Sequence, residues 1–478
     1  MTYGPLITVL VLALLLLPGM QLLRRMVDFT RFVAPQRRDV RELPPTLRQP
    51  FSSIAAQSAV PLQRTATPGP GARGARTRLI ERFAPLEANA LIATALDRRR
   101  AEDFSERAFV TPLQELLHAL HAQAELSTFG QLATRFDALR CLDNQLALAS
   151  AERVDASITR RDLVRPIFIT GLPRCGSTFL HSLIALDPAV AVPHSWQVMY
   201  PYPLPGLRSR IETRRARVAR QFAFFRLLSP QLSGMHPLAA DAPQECTDIT
   251  AQVFQSLRFD TIYRIPMYRD WLDEYGHEYA YRFHRRFLQH LDAQHPGAQR
   301  WVLKSPDHVF ALAALRKVYP DAHIVMLHRD PLSVLASVAK LTEILRRPFT
   351  RHLDPVQIGA EISARWAEGA ERMVATRAAD TNILHLHYSD LVSAPMDTIA
   401  TLYRHCGMPL SAAAEMRMRA ALRARPRGGY AVHAHRLESF GLDAGQLRER
   451  FARYMQTFDV RPAERARADT AQVMTDSA

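Results

Sequence analysis

Apolar and polar positions fall into two regimes along this chain. From Leu79 to about Ile158 the apolar residues recur at helical spacing, as in Leu113, Leu116, Leu117 and Leu120 at i, i+3, i+4 and i+7, which predicts helices whose leucines form a core. Thr111, Pro112 and Gln114 read there as an N-cap, a first-turn proline and a capping-box partner. After residue 163 short apolar runs alternate with helical stretches: Val164 to Thr170, Trp301 to Lys304, His323 to Leu327 and Ile383 to His387. That alternation predicts an α/β fold, a parallel sheet with helices on both faces, whose ligands bind beyond the carboxyl ends of the strands.

The beginning of the chain follows neither pattern. Leu6 to Leu23 carries no charge and, as a helix, measures about 27 Å at 1.5 Å per residue, close to the thickness of a bilayer core. Arg24, Arg25, Arg31, Arg37 and Arg38 follow it, the reverse of a secretory signal, so the stretch is expected to be a retained single-pass anchor with the rest of the protein cytoplasmic. From Pro35 to Arg76 the chain is rich in Pro, Arg, Ser and Gly and reads as a linker. The expected organisation is an anchor over 1–27, a linker over 28–77, a helical region over 78–160, the α/β domain over 161–465 and a tail over 466–478.

Composition narrows the partners. The 47% apolar content suffices for a sizeable core, and the net charge of +15 is spread along the chain without the aromatic interleaving of single-strand binders, so no nucleic-acid partner is expected. Nearly all the basic residues are arginine; the lysines are Lys304, Lys317 and Lys340. Cys141, Cys175, Cys246 and Cys406 lie far apart with no C-x-x-C, which argues against a disulfide framework or a zinc site.

Two motifs carry chemistry. The run I-T-G-L-P-R-C-G-S-T-F-L, Ile169 to Leu180, takes a strand through a glycine loop into a helix, where unpaired backbone N–H groups suit a phosphate or sulfate. Gly171, Gly176, Ser177 and Thr178 nearly match the phosphate-loop pattern of nucleotide hydrolases, but Ser177 stands at the lysine position and the cation lies inside the loop as Arg174. The second motif is H-R-D-P at His328 to Pro331. Asp330 and Pro331 are a cap and a first helical residue, so Arg329 is held at a strand-helix junction, and Ser337 shares its side of the helix with Ser333. Arg329 and Ser337 could grip a phosphate together. Two such ends fit one ligand better than two.

These motifs resemble the 5′-phosphosulfate loop and the 3′-phosphate-binding pattern of sulfotransferases that use 3′-phosphoadenosine 5′-phosphosulfate (PAPS). S-W-Q-V-M-Y-P-Y-P from Ser195, P-Q-E-C from Pro243, L-K-S-P-D-H from Leu303, H-Y-S-D-L from His387 and S-F-G-L-D from Ser439 look like the bacterial branch of that family, over roughly residues 85 to 460. The resemblance implies a P-loop-type sheet and a donor site formed by Arg174, Cys175, Gly176, Ser177, Thr178, Phe179, Arg329 and Ser337, with Arg427 and Gly428 as a further 3′-phosphate contact. Phe179 stands where relatives stack the adenine.

For catalysis, the resemblance places Arg174 where the family has a loop lysine, and Lys304 at a second family lysine near the transferring group. Guanidinium does not deprotonate near neutrality, so Arg174 would stabilise the leaving phosphate, not protonate it. The histidine that cytosolic relatives carry two residues after the second lysine is Pro306 here; the bases left are Glu245 first, then His308 and His236. Phosphoryl transferases hold magnesium on an acid that ends an apolar strand; the strand Ile324 to Leu327 ends in His328 and Arg329, so no metal is expected.

The expected activity is sulfuryl transfer to a hydroxyl or amine of a small-molecule or lipid acceptor, with residues 190–300 as the place for acceptor specificity. A P-loop small-molecule kinase and a non-catalytic membrane-tethered binding protein are the alternatives. Acceptor identity and oligomeric state are not legible in the chain.

Overall fold

The structure, a computed structural model, describes residues 86–203, 211–234, 238–295, 297, 300–424 and 436–462. Its centre is a five-stranded, wholly parallel sheet of β1 (Ile167–Gly171), β2 (Val190–Ala191), β3 (Arg300–Lys304), β4 (His323–His328) and β5 (Leu384–His387), in the order β2-β3-β1-β4-β5. The expected runs become β1, β3, β4 and β5 with ends shifted by a few residues. The edge strand β2, two residues long, was not among them.

Alternate strand residues feed two cores. Phe168, Leu303, Ile324 and Met326 pack into a large cluster shared with the helical region, while Ile167, Ile169, Val302, Val325 and Leu327 pack into a second cluster with Leu180, Leu183 and Ile184. Period-two alternation across the pleat, with both faces covered, is why these strands read as continuous apolar runs.

The helical region consists of α1 (Ala88–Arg99), α2 (Val110–Gln123) and the 27-residue α3 (Thr128–Val154). Leu113, Leu116, Leu117 and Leu120 are all buried, as their spacing requires. The start of α2 differs from the expected cap: the helix begins at Val110, after Phe109, and no side chain caps it. Phe109 is fully buried between Phe104 and Phe254, so ring packing sets the helix entry and leaves Thr111 and Pro112 inside the first turn.

Among the described residues no helix is long and apolar enough to cross a membrane. The expected anchor, the linker and the tail over 466–478 lie outside the described residues, as do His236, Arg427 and Gly428.

Candidate functional site

The carboxyl ends of β1, β3 and β4 lie side by side, and the candidate residues collect there. β1 and β4 run in register up to Gly171 opposite Leu327. Gly171 has φ +133°, and a Cβ placed on it would stand 2.2 Å from the Leu327 carbonyl oxygen. Only a glycine lets the loop leave β1 this close to β4. Arg174 takes a left-handed φ of 62° and Gly176 one of 91° before α4 (Ser177–Ile184) begins. A non-glycine residue held in that conformation is a small store of strain of the kind that clusters at functional loops.

β4 delivers the second half. Asp330 caps α5 (Pro331–Arg346) by accepting from the Leu332 N–H at 3.1 Å, with Pro331 at the first helical position, as expected. Arg329 is thereby fixed at the junction and donates through Nη1 to the Arg174 carbonyl at 2.6 Å. One helical turn beyond Ser333, whose hydroxyl bonds Asp330, Ser337 accepts from Arg174 Nε at 3.2 Å. The loop and the α5 start are therefore one constellation of Arg174, Arg329 and Ser337. Burial and the neighbouring Arg329 guanidinium both hold the Arg174 guanidinium below its ordinary range. Two cations brought together this way form a ready cradle for an anion.

Tyr388, directly after β5, was not singled out as a site residue. Its ring lies 3.9 Å beneath the Arg329 guanidinium and fills the space that a side chain on Gly176 would need. The signal was available in H-Y-S-D-L at a strand end, which served only as a family marker.

Lys304 closes β3 and is 1% exposed. Its ammonium donates to Thr178 Oγ1 at 3.2 Å and is paired with the Glu245 carboxylate. Glu245 reaches it because its chain neighbours are pinned. The Gln244 N–H donates to the Pro193 carbonyl at 2.7 Å and the Cys246 N–H to the Lys304 carbonyl at 3.0 Å, a ladder that lays P-Q-E-C along the end of β3.

The other candidates take different places. Cys175 is buried and its thiol is pushed up by that burial, the opposite of an activated nucleophile. Phe179 is half-buried and packs against the second core cluster. His308 is buried edge-on against Phe168, with Nδ1 bonded to the Tyr281 hydroxyl, and burial drives its imidazole well below the ordinary histidine range. It lies apart from the bonds that join Lys304, Thr178 and Glu245. Among the described residues no group of three or more His, Cys, Asp and Glu is arranged to hold a metal ion.

The glycine loop, two guanidinium groups and buried lysine thus gather at adjacent ends of a parallel sheet in an α/β fold, an arrangement suited to an anion. Residues 166–412 match the profile of the Sulfotransferase family. The crystal structure of sulfotransferase STF1 from Mycobacterium tuberculosis H37Rv superposes with a TM-score of 0.67 at 32% identity, covering 77% of this chain and 98% of that one. Sulfotransferase STF9 from Mycobacterium avium superposes with a TM-score of 0.70 at 26% identity, covering 79% and 97%. A curated relative from Mycobacterium bovis, omega-hydroxy-beta-dihydromenaquinone-9 sulfotransferase Stf3, is 26% identical over 263 residues, 51% of this chain and 63% of that protein. The chain belongs to the sulfotransferase family, in its bacterial branch.

Proposed function

We propose that this protein transfers the sulfuryl group of PAPS to a hydroxyl or amine and releases adenosine 3′,5′-bisphosphate. The observation that carries the reading is the joining of Arg174, Arg329 and Ser337 across two strand ends, next to Lys304. A single ligand with several anionic groups would meet both the loop and the junction.

The roles follow from position. Arg329 and Ser337 hold the 3′ phosphate, and Gly176, Ser177 and Thr178 present the start of α4 to the 5′ side. Arg174 and Lys304 stabilise charge that develops on the leaving phosphate and the transferring oxygens. Glu245 takes the acceptor's proton. It is about a quarter exposed beside the buried Lys304, whereas His308 is walled in by Tyr281 and Phe168. The donor is not part of the structure, but the two adjacent guanidiniums fit a polyanion.

The acceptor is a small molecule or a lipid. The Mycobacterium bovis relative carries a lipid-quinone hydroxyl in its name, and the uncharged run 6–23 followed by arginines supports attachment to a membrane with the catalytic domain on the cytoplasmic side. The full chain, supplied with donor labelled in the sulfuryl group and a panel of hydroxyl and amine acceptors including quinol lipids, is expected to label at least one acceptor. Donor binding without labelling of any acceptor would favour a binding protein.

A further inference from the structure

The last described helix, Ala452–Thr457, is pinned to the end of β4 by polar groups within an otherwise apolar contact. His328, the final residue of β4 and the one before Arg329, is buried, as is Tyr454. The His328 Nδ1 lies 3.1 Å from the Tyr454 hydroxyl, and its Nε2 lies 2.8 Å from His385 Nδ1. Phe458 stacks on the same imidazole, with ring centroids 4.0 Å apart and planes 20° from parallel.

The protons along this chain of bonds run one way. Burial holds His328 well below the ordinary histidine range, so near pH 7 one of its ring nitrogens donates and the other accepts. The Arg329 backbone N–H is a further hydrogen-bond partner of the Tyr454 hydroxyl. A hydroxyl that accepts there keeps its own proton for His328 Nδ1, which leaves the Nε2–H to donate to His385. The opposite order strands the Tyr454 proton in the core as an unmet buried donor.

Apolar side chains would fill the same space without the cost of desolvating a hydroxyl and an imidazole. What the bonds add is direction, because a satisfied buried network fixes one arrangement of its members. The residue so fixed adjoins Arg329 on the strand side, while the Asp330 cap fixes the helix side. We propose that Tyr454 is a positioning residue for Arg329: with its hydroxyl bonded to His328, it sets the backbone from which the guanidinium reaches the 3′ phosphate. This rests on the reading of Arg329 as the holder of that phosphate.

The test compares adenosine 3′,5′-bisphosphate with adenosine 5′-monophosphate, which lacks only the 3′ phosphate, on the full chain. Calorimetry gives the bisphosphate affinity directly and the monophosphate affinity by displacement, which reads millimolar binding. Tyr454→Phe is expected to lower the ratio of the two affinities about five- to tenfold, because the 3′ contact alone is misaligned. His328→Leu combined with Tyr454→Phe removes both partners of the 3.1 Å bond and keeps the packing, a gentler change for stability than removing one partner, and its ratio is expected to fall as far. An unchanged ratio in a variant that folds overturns the inference and leaves the donor reading standing. Equal loss of both affinities, or neither variant folding, makes Tyr454 a support of the fold alone and overturns it too. A wild type that does not favour the bisphosphate sinks the donor reading, and this inference with it.

Discussion

Lys304 and Glu245 form an ion pair in which the ammonium is almost wholly buried and the carboxylate is a quarter exposed, at 1% and 26%. The cation is thus held at the end of β3 by a group that reaches solvent, beside the first turn of α4 through Thr178. A buried charge is tolerated because it is paired, and the pair can open toward whatever arrives from the solvent side.

Glu245→Gln keeps an oxygen for Lys304 to bind but removes the proposed base. It is expected to retain donor affinity and to lower the turnover rate by about a hundred- to ten-thousand-fold. Steady-state kinetics beside calorimetry separates the two quantities; a loss of donor affinity with unchanged turnover would remove Glu245 from proton transfer.

Tyr388 supports Arg329 from below. Tyr388→Ala is expected to weaken bisphosphate binding about tenfold by loosening the guanidinium, and Tyr388→Phe to keep it, because the contact is with the ring face. Equal affinity in Tyr388→Ala would show that the Arg174 carbonyl alone orients Arg329.

Gly171→Ala places a methyl group against the Leu327 carbonyl at a backbone angle that alanine resists. A loss of about 3 kcal/mol in unfolding free energy is expected. Denaturant unfolding of the purified variant is the check, and wild-type stability would mean that β1 and β4 can part there at no cost.

Acid should destabilise the protein through its buried histidines. Burial, the largest cause in each case, lowers His181 and His284 to about 3. Unfolded histidine binds its proton near 6.5, so the unfolded state takes up protons first as pH falls. The stabilisation is complete above about 6.5 and is lost progressively toward about 3. Unfolding midpoints measured across that range should fall with pH, and His181→Gln, which can still donate to the Val302 carbonyl, should flatten the fall.

What was legible in the chain was what neighbours in sequence decide. The Asp330 cap and Pro331 fix Arg329 locally, and the glycines set the loop, so the loop and the strand-helix junction could both be placed from short motifs. The apolar runs announced four of the five strands for the same reason. The rest depends on contacts between distant segments. Val190 and Ala191 become a strand only because β3 offers them a free edge, Phe109 moves a helix start by packing into the core, and Glu245 reaches Lys304 through a backbone ladder that joins segments about sixty residues apart. His308, four residues after Lys304 in the motif, is buried in the core and bonded to Tyr281.

Calorimetry of the full chain with adenosine 3′,5′-bisphosphate and with ATP, each with and without a magnesium chelator, tests the central claim most directly. The account predicts that the bisphosphate binds with micromolar or tighter affinity in the presence of chelator, and that Arg329→Glu abolishes this binding by reversing the charge at the 3′ phosphate. Binding of ATP alone, lost on chelating magnesium and unaffected by Arg329→Glu, would contradict it.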